Sequence, residues 1–193
     1  MKKQIGIYSG SFNPIHLGHT QLAKYILEQN IVDEVWFIVS PCNPLKERRN
    51  LLDEYIRLEM LVLAIQNHPQ MKASDVEFSM PIPSYSIDTL NVLRLQYPEY
   101  QFSLIIGSDN ALIFDQWKDY IQILENFPIL VYPRMGFDFQ TVAHQYPAMQ
   151  LLTTPFYNVS STQIRQLIQE GKDLSPYLDP SVIQLIEEND FYQ

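Results

Sequence analysis

His16 and His19 stand three residues apart inside Gly10-Ser11-Phe12-Asn13-Pro14-Ile15-His16-Leu17-Gly18-His19. Imidazoles at that spacing can lie on one side of a turn and offer N–H donors to a shared anion. The flanking residues suit the same guest. Gly10 lets the backbone approach a ligand, Pro14 stiffens the loop, and Gly18 removes a side chain where the free amides of a helix start point outward. Phosphate is the natural anion for such a place. Taken alone, a glycine turn with two histidines also fits a metal pair or a plain surface turn.

Other side chains with chemistry to offer are scattered along the chain. Lys46, in Ser40-Pro41-Cys42-Asn43-Pro44-Leu45-Lys46, is a candidate phosphate contact, or else a solvated lysine. Ser160-Ser161-Thr162 opens a helical pattern that puts Arg165 one turn in, close enough to share an anion with amides and hydroxyls; an ordinary N-cap uses the same residues. Asp109 follows an apolar run, where a carboxylate can accept from ribose hydroxyls, orient a metal-bound water or cap a helix. Arg134 ends a later apolar run at the ligand edge. The stretch Pro81 to Leu90 passes into a helix whose first amides could hold a second anion such as a carboxylate, with capping by Ser84 or Ser86 as the simpler use. Trp117 is either core or a stacking platform. No nucleophile is paired with a base, and Cys42 has no activating neighbour, so the chemistry is positioning and charge stabilisation rather than covalent catalysis.

The elements that must place these residues follow from periodicity. Ile5, Ile7 and Tyr8 form a first strand that runs into the histidine turn, and Leu22, Ala23, Ile26 and Leu27 recur at helical spacing over Thr20 to Asn30. Continuous apolar runs at Val32 to Val39, Gln101 to Ile106, Phe127 to Tyr132 and Met149 to Thr153 read as strands buried on both faces of a parallel sheet, with a shorter strand at Met71 to Phe78. Helical patterns fill the gaps. One is capped by Asn50 and runs to about Asn67 with Leu51, Tyr55, Leu58, Met60, Leu61, Val62 and Ile65 inward; another continues through Asp88, Leu90, Leu93 and Leu95 to Gln96; two more cover Ser160 onward and Ser175 to Tyr192. The expected class is α/β, a Rossmann-like open parallel sheet with helices on both faces and a small C-terminal helical part over about 156–193, all within a single domain spanning 1–193. In such sheets ligands bind outside the carboxyl ends of the strands, so the histidine turn, Lys46, Asp109 and Arg134 should face one another.

Composition narrows the partners. Of 193 residues, 46% are apolar and 18% charged, with no run long enough to span a bilayer, and the net charge of -9 argues against nucleic acid as a ligand. Small anions remain compatible through helix N-termini, a few placed cations and a bridging divalent metal. A single cysteine and an N-terminus without an export signal suit a reducing, cytoplasmic setting.

The pattern G-x-F-x-P-x-H-x-G-H fixes six positions in ten residues and resembles the signature of the nucleotidyltransferase superfamily, which includes the HIGH-type class I aminoacyl-tRNA synthetases. Over the whole chain the sequence resembles the bacterial nicotinate mononucleotide adenylyltransferases. GSFNPIHLGH is similar to their GTFDPxHxGH, NPLK to PPHK, PSYSIDTL to PSYTxDTL, IIGSDNALIFDQW to IIGxDxLxxxxxW, and VSSTQIR to ISSTxIR. Ser9, Asn13 and Leu45 depart from the usual Gly, Asp and His. The resemblance implies adenylyl transfer from ATP, with Mg²⁺, to nicotinate mononucleotide in NAD biosynthesis. It implies that His16, His19, Lys46 and Arg165 act on the phosphates, and that Gly10, Ser11, Phe12, Gly18, Ser160, Ser161 and Thr162 bind ATP. It further implies Trp117 as the pyridine platform, backbone amides near Ser86 and Lys118 for the nicotinate carboxylate, Thr89 beside them, Asp109 for ribose and Arg134 for the mononucleotide phosphate. Rival acceptors are nicotinamide mononucleotide and phosphopantetheine, and a different class of reading is a nucleotide sensor without turnover.

Overall fold

Six apolar stretches pair side by side, all in parallel. The computed structural model describes residues 2–41 and 51–193. The chain runs β1 (Lys3–Gly10), α1 (Leu17–Glu28), β2 (Glu34–Val39), α2 (Glu54–Ile65), β3 (Met71–Ser74), α3 (Ser86–Gln96) and β4 (Tyr100–Gly107). It continues through α4 (Ser108–Ala111), α5 (Tyr120–Asn126), β5 (Ile129–Tyr132), β6 (Met149–Leu151), α6 (Ser161–Gln169) and α7 (Pro180–Glu188). Sheet order is β3-β2-β1-β4-β5-β6. The chain therefore reverses direction across the sheet between β1 and β4, both of which pair in parallel with each other and with their outer neighbours. That reversal opens a crevice at the carboxyl ends of β1 and β4, the place where open α/β sheets take their ligands. This is the Rossmann-like architecture that the apolar runs predict.

Strand alternation sorts the core into two halves. Val35, Phe37 and Val39 of β2 pack on one face with Leu22 and Ile26 of α1, Met60 and Leu61 of α2, Ile164 of α6 and Val182 and Ile186 of α7. Trp36 and Ile38 point to the other face, against Leu90 and Leu93 of α3 and Ile123 of α5. Helices thus cover both faces, and each fully buried aliphatic side chain contributes about 1.5–3 kcal/mol of transfer free energy. The C-terminal helical part is tied to the first turn as well as to the sheet: the Leu17 amide donates to the Tyr177 carbonyl at 2.8 Å, and Tyr192 donates its hydroxyl to Asn13 Oδ1 at 2.8 Å. No helix among the described residues is long and apolar enough to cross a membrane.

Several boundaries differ from the periodicity reading. Helix α1 starts at Leu17, with His16 as its N-cap. Helix α2 starts at Glu54, because Asp53 accepts from the Tyr55 amide and caps it; Asn50 lies outside the described residues. Its inward face is Arg57, Met60, Leu61, Ala64 and Ile65, whereas Tyr55 and Val62 are exposed. The strand expected over Met71 to Phe78 stops at Ser74, and residues Val76–Ser79 form a 3₁₀ turn that sends Glu77 inward. Helix α3 is capped at Tyr85 with no side-chain hydrogen bond, so neither Ser84 nor Ser86 serves as the cap, and Leu95 is exposed.

Candidate active site

The β1–α1 turn is held from three directions. Phe12, at φ +44°, tucks its ring over Gly10, so a Cβ on Gly10 would meet the ring at 3.0 Å. The missing side chain of Gly10 therefore makes room for Phe12. Asn13 is buried and accepts at Oδ1 from the Leu52 amide and the Tyr192 hydroxyl. Arg57, fully buried on α2, donates from Nη1 to the carbonyls of Ser11 (2.6 Å) and Ser40 (2.9 Å), from Nε to Leu52 and from Nη2 to Pro41. One cation thereby ties the turn after β1 to the segment after β2.

His16 and His19 stack, with ring centroids 3.5 Å apart and planes 19° from parallel. The His16 amide donates to His19 Nδ1 at 3.3 Å, which places the proton of the neutral His19 ring on Nε2. Burial, together with the nearby Arg134 guanidinium, lowers the His16 pKa to about 3, so this imidazole is neutral at pH 7 before an anion arrives. Gly18 fits between Val159 and that ring: a Cβ there would clash with Val159 Cγ1 at 2.6 Å and press on His16 Nδ1 at 3.1 Å. The glycine expected to bare helix amides also lets Val159 and the His16 ring pack close to the start of α1.

Across the crevice, Ser160 caps α6 by accepting from the Gln163 amide, and Ser161 donates its hydroxyl to the Pro14 carbonyl at 2.9 Å. Arg165 donates from Nη1 to the Asn13 carbonyl at 2.7 Å and from Nη2 to Thr162 Oγ1 at 3.3 Å. These contacts clamp the start of α6 onto the histidine turn, so the two segments face each other across the crevice. On the β4 side, Arg134 pairs with Asp109 Oδ2 at 2.8 Å, and Gly107 leaves room for both side chains, since a Cβ there would lie 2.7 Å from Arg134 Cδ.

Two cavities open from this crevice. The larger, about 520 Å³, is lined by Gly10, Ser11, Phe12, His16, Gly18, His19, Asp109, Arg134, Ser160, Ser161, Thr162 and Arg165. The smaller, about 320 Å³, is lined by Glu77, Ser84, Tyr85, Ser86, Trp117 and Lys118. Tyr8, Ser9, Gly10, Asn110 and Tyr132 line both, so the chambers meet at the carboxyl end of β1. At that seam the Tyr8 hydroxyl donates to the Tyr132 hydroxyl at 3.3 Å, and burial raises the pKa of both phenols. Four buried side-chain polar atoms among the described residues lack a hydrogen-bond partner, and three of them belong to cavity residues: His16 Nδ1, Asp109 Oδ1 and Trp117 Nε1. Unsatisfied buried polar atoms are rare in folded chains, and three of these four belong to residues on the chamber walls.

The structure thus brings together nearly all the residues singled out from sequence. Lys46, with Cys42 and the NPLK loop, lies outside the described residues. Thr89 is the exception among the described ones: it is fully buried, donates to Glu77, and lines neither chamber. Lys118 lines the smaller chamber and pairs its ammonium with Asp88 at 2.8 Å, over the Tyr85 ring. Three residues escaped the sequence reading. Glu77 and Tyr132 lay in runs read as strand. Arg57 carried a signal, since Arg57, Met60, Leu61 and Ala64 fall at i, i+3, i+4 and i+7, which places a cation on a buried stripe.

A family model described as "Cytidylyltransferase-like" matches residues 7–167. A relative from Bacteroides fragilis, named "Probable nicotinate-nucleotide adenylyltransferase", is 45% identical over 96% of this chain and 92% of its own length. The chain belongs to the nicotinate-nucleotide adenylyltransferase family. A relative of the same name from Flavobacterium johnsoniae is 42% identical over 98% of this chain and 99% of its own length. In three dimensions, the Plasmodium falciparum nicotinic acid mononucleotide adenylyltransferase complexed with NaAD superposes with a TM-score of 0.85 at 23% identity, covering 98% of this chain and 97% of that one. That likeness shows that the fold is shared. The nicotinate-nucleotide adenylyltransferase family is thus reached from sequence identity over essentially the whole length, and the two adjoining chambers are this family member's own geometry.

Proposed function

We propose that this chain transfers the adenylyl group of ATP to nicotinate mononucleotide, giving nicotinate adenine dinucleotide and pyrophosphate, as a single-domain cytoplasmic enzyme of NAD biosynthesis. The observation that carries the reading is the pair of chambers meeting at Ser9 and Gly10: one is lined by His16, His19, Arg165 and the hydroxyls that open α6, and the other by Trp117 and the start of α3. A reaction between two nucleotides needs two sites with one shared edge.

In this reading the larger chamber takes the triphosphate. His16, His19, Arg165, the α6 amides and the hydroxyls of Ser160, Ser161 and Thr162 surround it, with Gly10, Ser11, Phe12 and Gly18 shaping the turn. Trp117 stacks on the pyridine, the amides near Ser86 and Lys118 receive its carboxylate, Asp109 accepts from a ribose hydroxyl and Arg134 holds the mononucleotide phosphate. An oxygen of that phosphate attacks the α-phosphorus of ATP. The new P–O bond forms as the α–β anhydride bond breaks, and pyrophosphate leaves with the bonding pair. No enzyme nucleophile is needed, because the acceptor phosphate is already ionised. Among the described residues no group of three His, Cys, Asp or Glu is disposed to hold a metal ion. The divalent cation of this reading is Mg²⁺ carried on the ATP phosphates as part of the substrate, where it neutralises charge on the leaving group.

The test is pyrophosphate release with Mg·ATP and, side by side, nicotinate mononucleotide, nicotinamide mononucleotide and phosphopantetheine. A strong preference for the first supports the reading. Turnover with another acceptor alone keeps the transferase and discards the substrate, and silence with all three leaves a nucleotide-binding protein without transfer.

A further inference from the structure

Glu77 lies on the wall of the smaller chamber, 2% exposed, and none of the steps above uses it. Its carboxylate receives three hydroxyl hydrogen bonds. Ser40 Oγ (2.8 Å) and Ser84 Oγ (2.5 Å) donate to Oε2, and Thr89 Oγ1 (2.8 Å) donates to Oε1. A carboxylate this buried is tolerated where its lone pairs are filled, and here three hydroxyls from two segments, the end of β2 and the start of α3, fill them. Ser40 follows β2 and also donates its amide to the Gly10 carbonyl at 2.9 Å. Ser84 precedes α3, and Thr89 lies in its first turn.

Ser84 and Thr89 therefore bracket the start of α3, whose N-cap residue Tyr85 makes no side-chain capping bond and whose residues Tyr85 and Ser86 line the same chamber. Pinning both sides of that start fixes where its backbone N–H groups point. An array of donors distinguishes a carboxylate, which accepts at every contact, from a carboxamide, which must turn its NH₂ toward at least one of them. The distinction survives only while the donors cannot shift to accommodate the second ligand.

We propose that Glu77 is a positioning residue for acceptor specificity. Through Ser84 and Thr89 it holds the α3 amides in the arrangement that favours a carboxylate over a carboxamide on the pyridine ring. Through Ser40 it locks that wall to the strand end where the two chambers meet. This inference rests on the functional reading above. It also has a sign that a simple charge effect lacks. If the negative charge of Glu77 acted on the ligand directly, its removal would tighten binding of an acidic acceptor, whereas a positioning role predicts that the same change weakens it.

The experiment compares wild type, E77Q and T89V by steady-state pyrophosphate release with Mg·ATP, varying nicotinate mononucleotide, nicotinamide mononucleotide and ATP in turn. E77Q is expected to raise KM for nicotinate mononucleotide by about tenfold or more, the loss expected of one well-placed charged contact, while KM for ATP stays within about twofold. The preference for the nicotinate acceptor over the nicotinamide one should narrow, and T89V, which removes one of the three donors, should move both quantities the same way by less. A folded E77Q with unchanged or lowered KM for nicotinate mononucleotide overturns the proposal, as does a parallel rise in both KM values, which would indicate general loosening. If E77Q does not fold, an unaltered acceptor preference in T89V overturns it. Wild type that turns over neither pyridine acceptor overturns the functional reading itself, and this proposal with it, whereas an active wild type with an unaltered E77Q overturns the role of Glu77 alone.

Discussion

The imidazoles of His16 and His19 lie face to face, 3.5 Å between centroids, with the His16 amide bonded to His19 Nδ1. Stacked rings this close tolerate at most a shared positive charge, and Arg134 adds a further cation to the neighbourhood. The turn thus presents neutral imidazoles, His16 through its burial and His19 because its Nδ1 accepts a hydrogen bond. In the proposed reaction, a site built this way does its electrostatic work on the triphosphate as it binds.

It follows that H16A and H19A should each lower kcat by about 10²–10³, the range found for loss of a single oriented charge-stabilising donor, with smaller changes in thermal stability. Steady-state rates and melting temperatures measured on the same samples check this. A folded variant with full turnover would contradict the assignment.

His16 also makes a thermodynamic prediction. Folding lowers its pKa from 6.5 to about 3, so between those values the unfolded chain holds a proton that the native chain does not. Stability therefore rises with pH across that window, by up to about 1.4 kcal/mol per pH unit from this group, and is fully present above the unfolded value. Urea unfolding at a series of pH values from 4.5 to 7.5 should show a shallower slope for H16Q than for wild type. Equal slopes would mean that His16 titrates normally in the fold.

At Gly18 the conflict is steric. Alanine would put a methyl 2.6 Å from Val159 Cγ1 and against the His16 ring, and overpacking of this kind costs about 1–3 kcal/mol. G18A should be destabilised by that amount and should bind ATP more weakly, because the ring has to move. The double variant G18A/V159A should recover part of the stability, which separates the clash with Val159 from the displacement of His16. Chemical unfolding combined with nucleotide titration reads both effects.

Arg57 serves four backbone carbonyls from a fully buried position. Replacing it by Met keeps the volume and leaves those acceptors to find other donors, at a cost of about 3 kcal/mol or more for the group. The midpoint of urea unfolding should fall accordingly, with KM for ATP raised because Ser11 loses its anchor. A midpoint unchanged within about 0.5 kcal/mol would show that the carbonyls are satisfied without the guanidinium.

Much of this architecture can be read from residue order. Continuous apolar runs identify the parallel strands because both of their faces are covered, and the turn from Gly10 to His19 stands out because glycine, proline and histidine recur there for separate reasons. The α6 cap is legible in Ser160-Ser161-Thr162. Features that rest on contacts between distant segments are not legible. Nothing near Glu77 in sequence indicates that Ser40, Ser84 and Thr89 will converge on it, and a valine and a phenylalanine on either side make its segment look like a strand. Arg57 falls on the inward stripe with Met60 and Leu61, but the carbonyls it reaches belong to the turns after β1 and β2 and are not legible from its own helix. Tyr55, Val62 and Leu95 mislead in the opposite direction, since exposed apolar residues on helices are common and carry no periodic signature of their own.

The most direct test of direct adenylyl transfer is to follow the α-phosphorus itself. With ATP labelled with ³²P at that position, Mg²⁺ and nicotinate mononucleotide, the label should appear in nicotinate adenine dinucleotide one for one with the pyrophosphate released, and none should remain on the protein after denaturation. Label retained on the chain, or pyrophosphate released without labelled dinucleotide, would contradict direct attack by the mononucleotide phosphate.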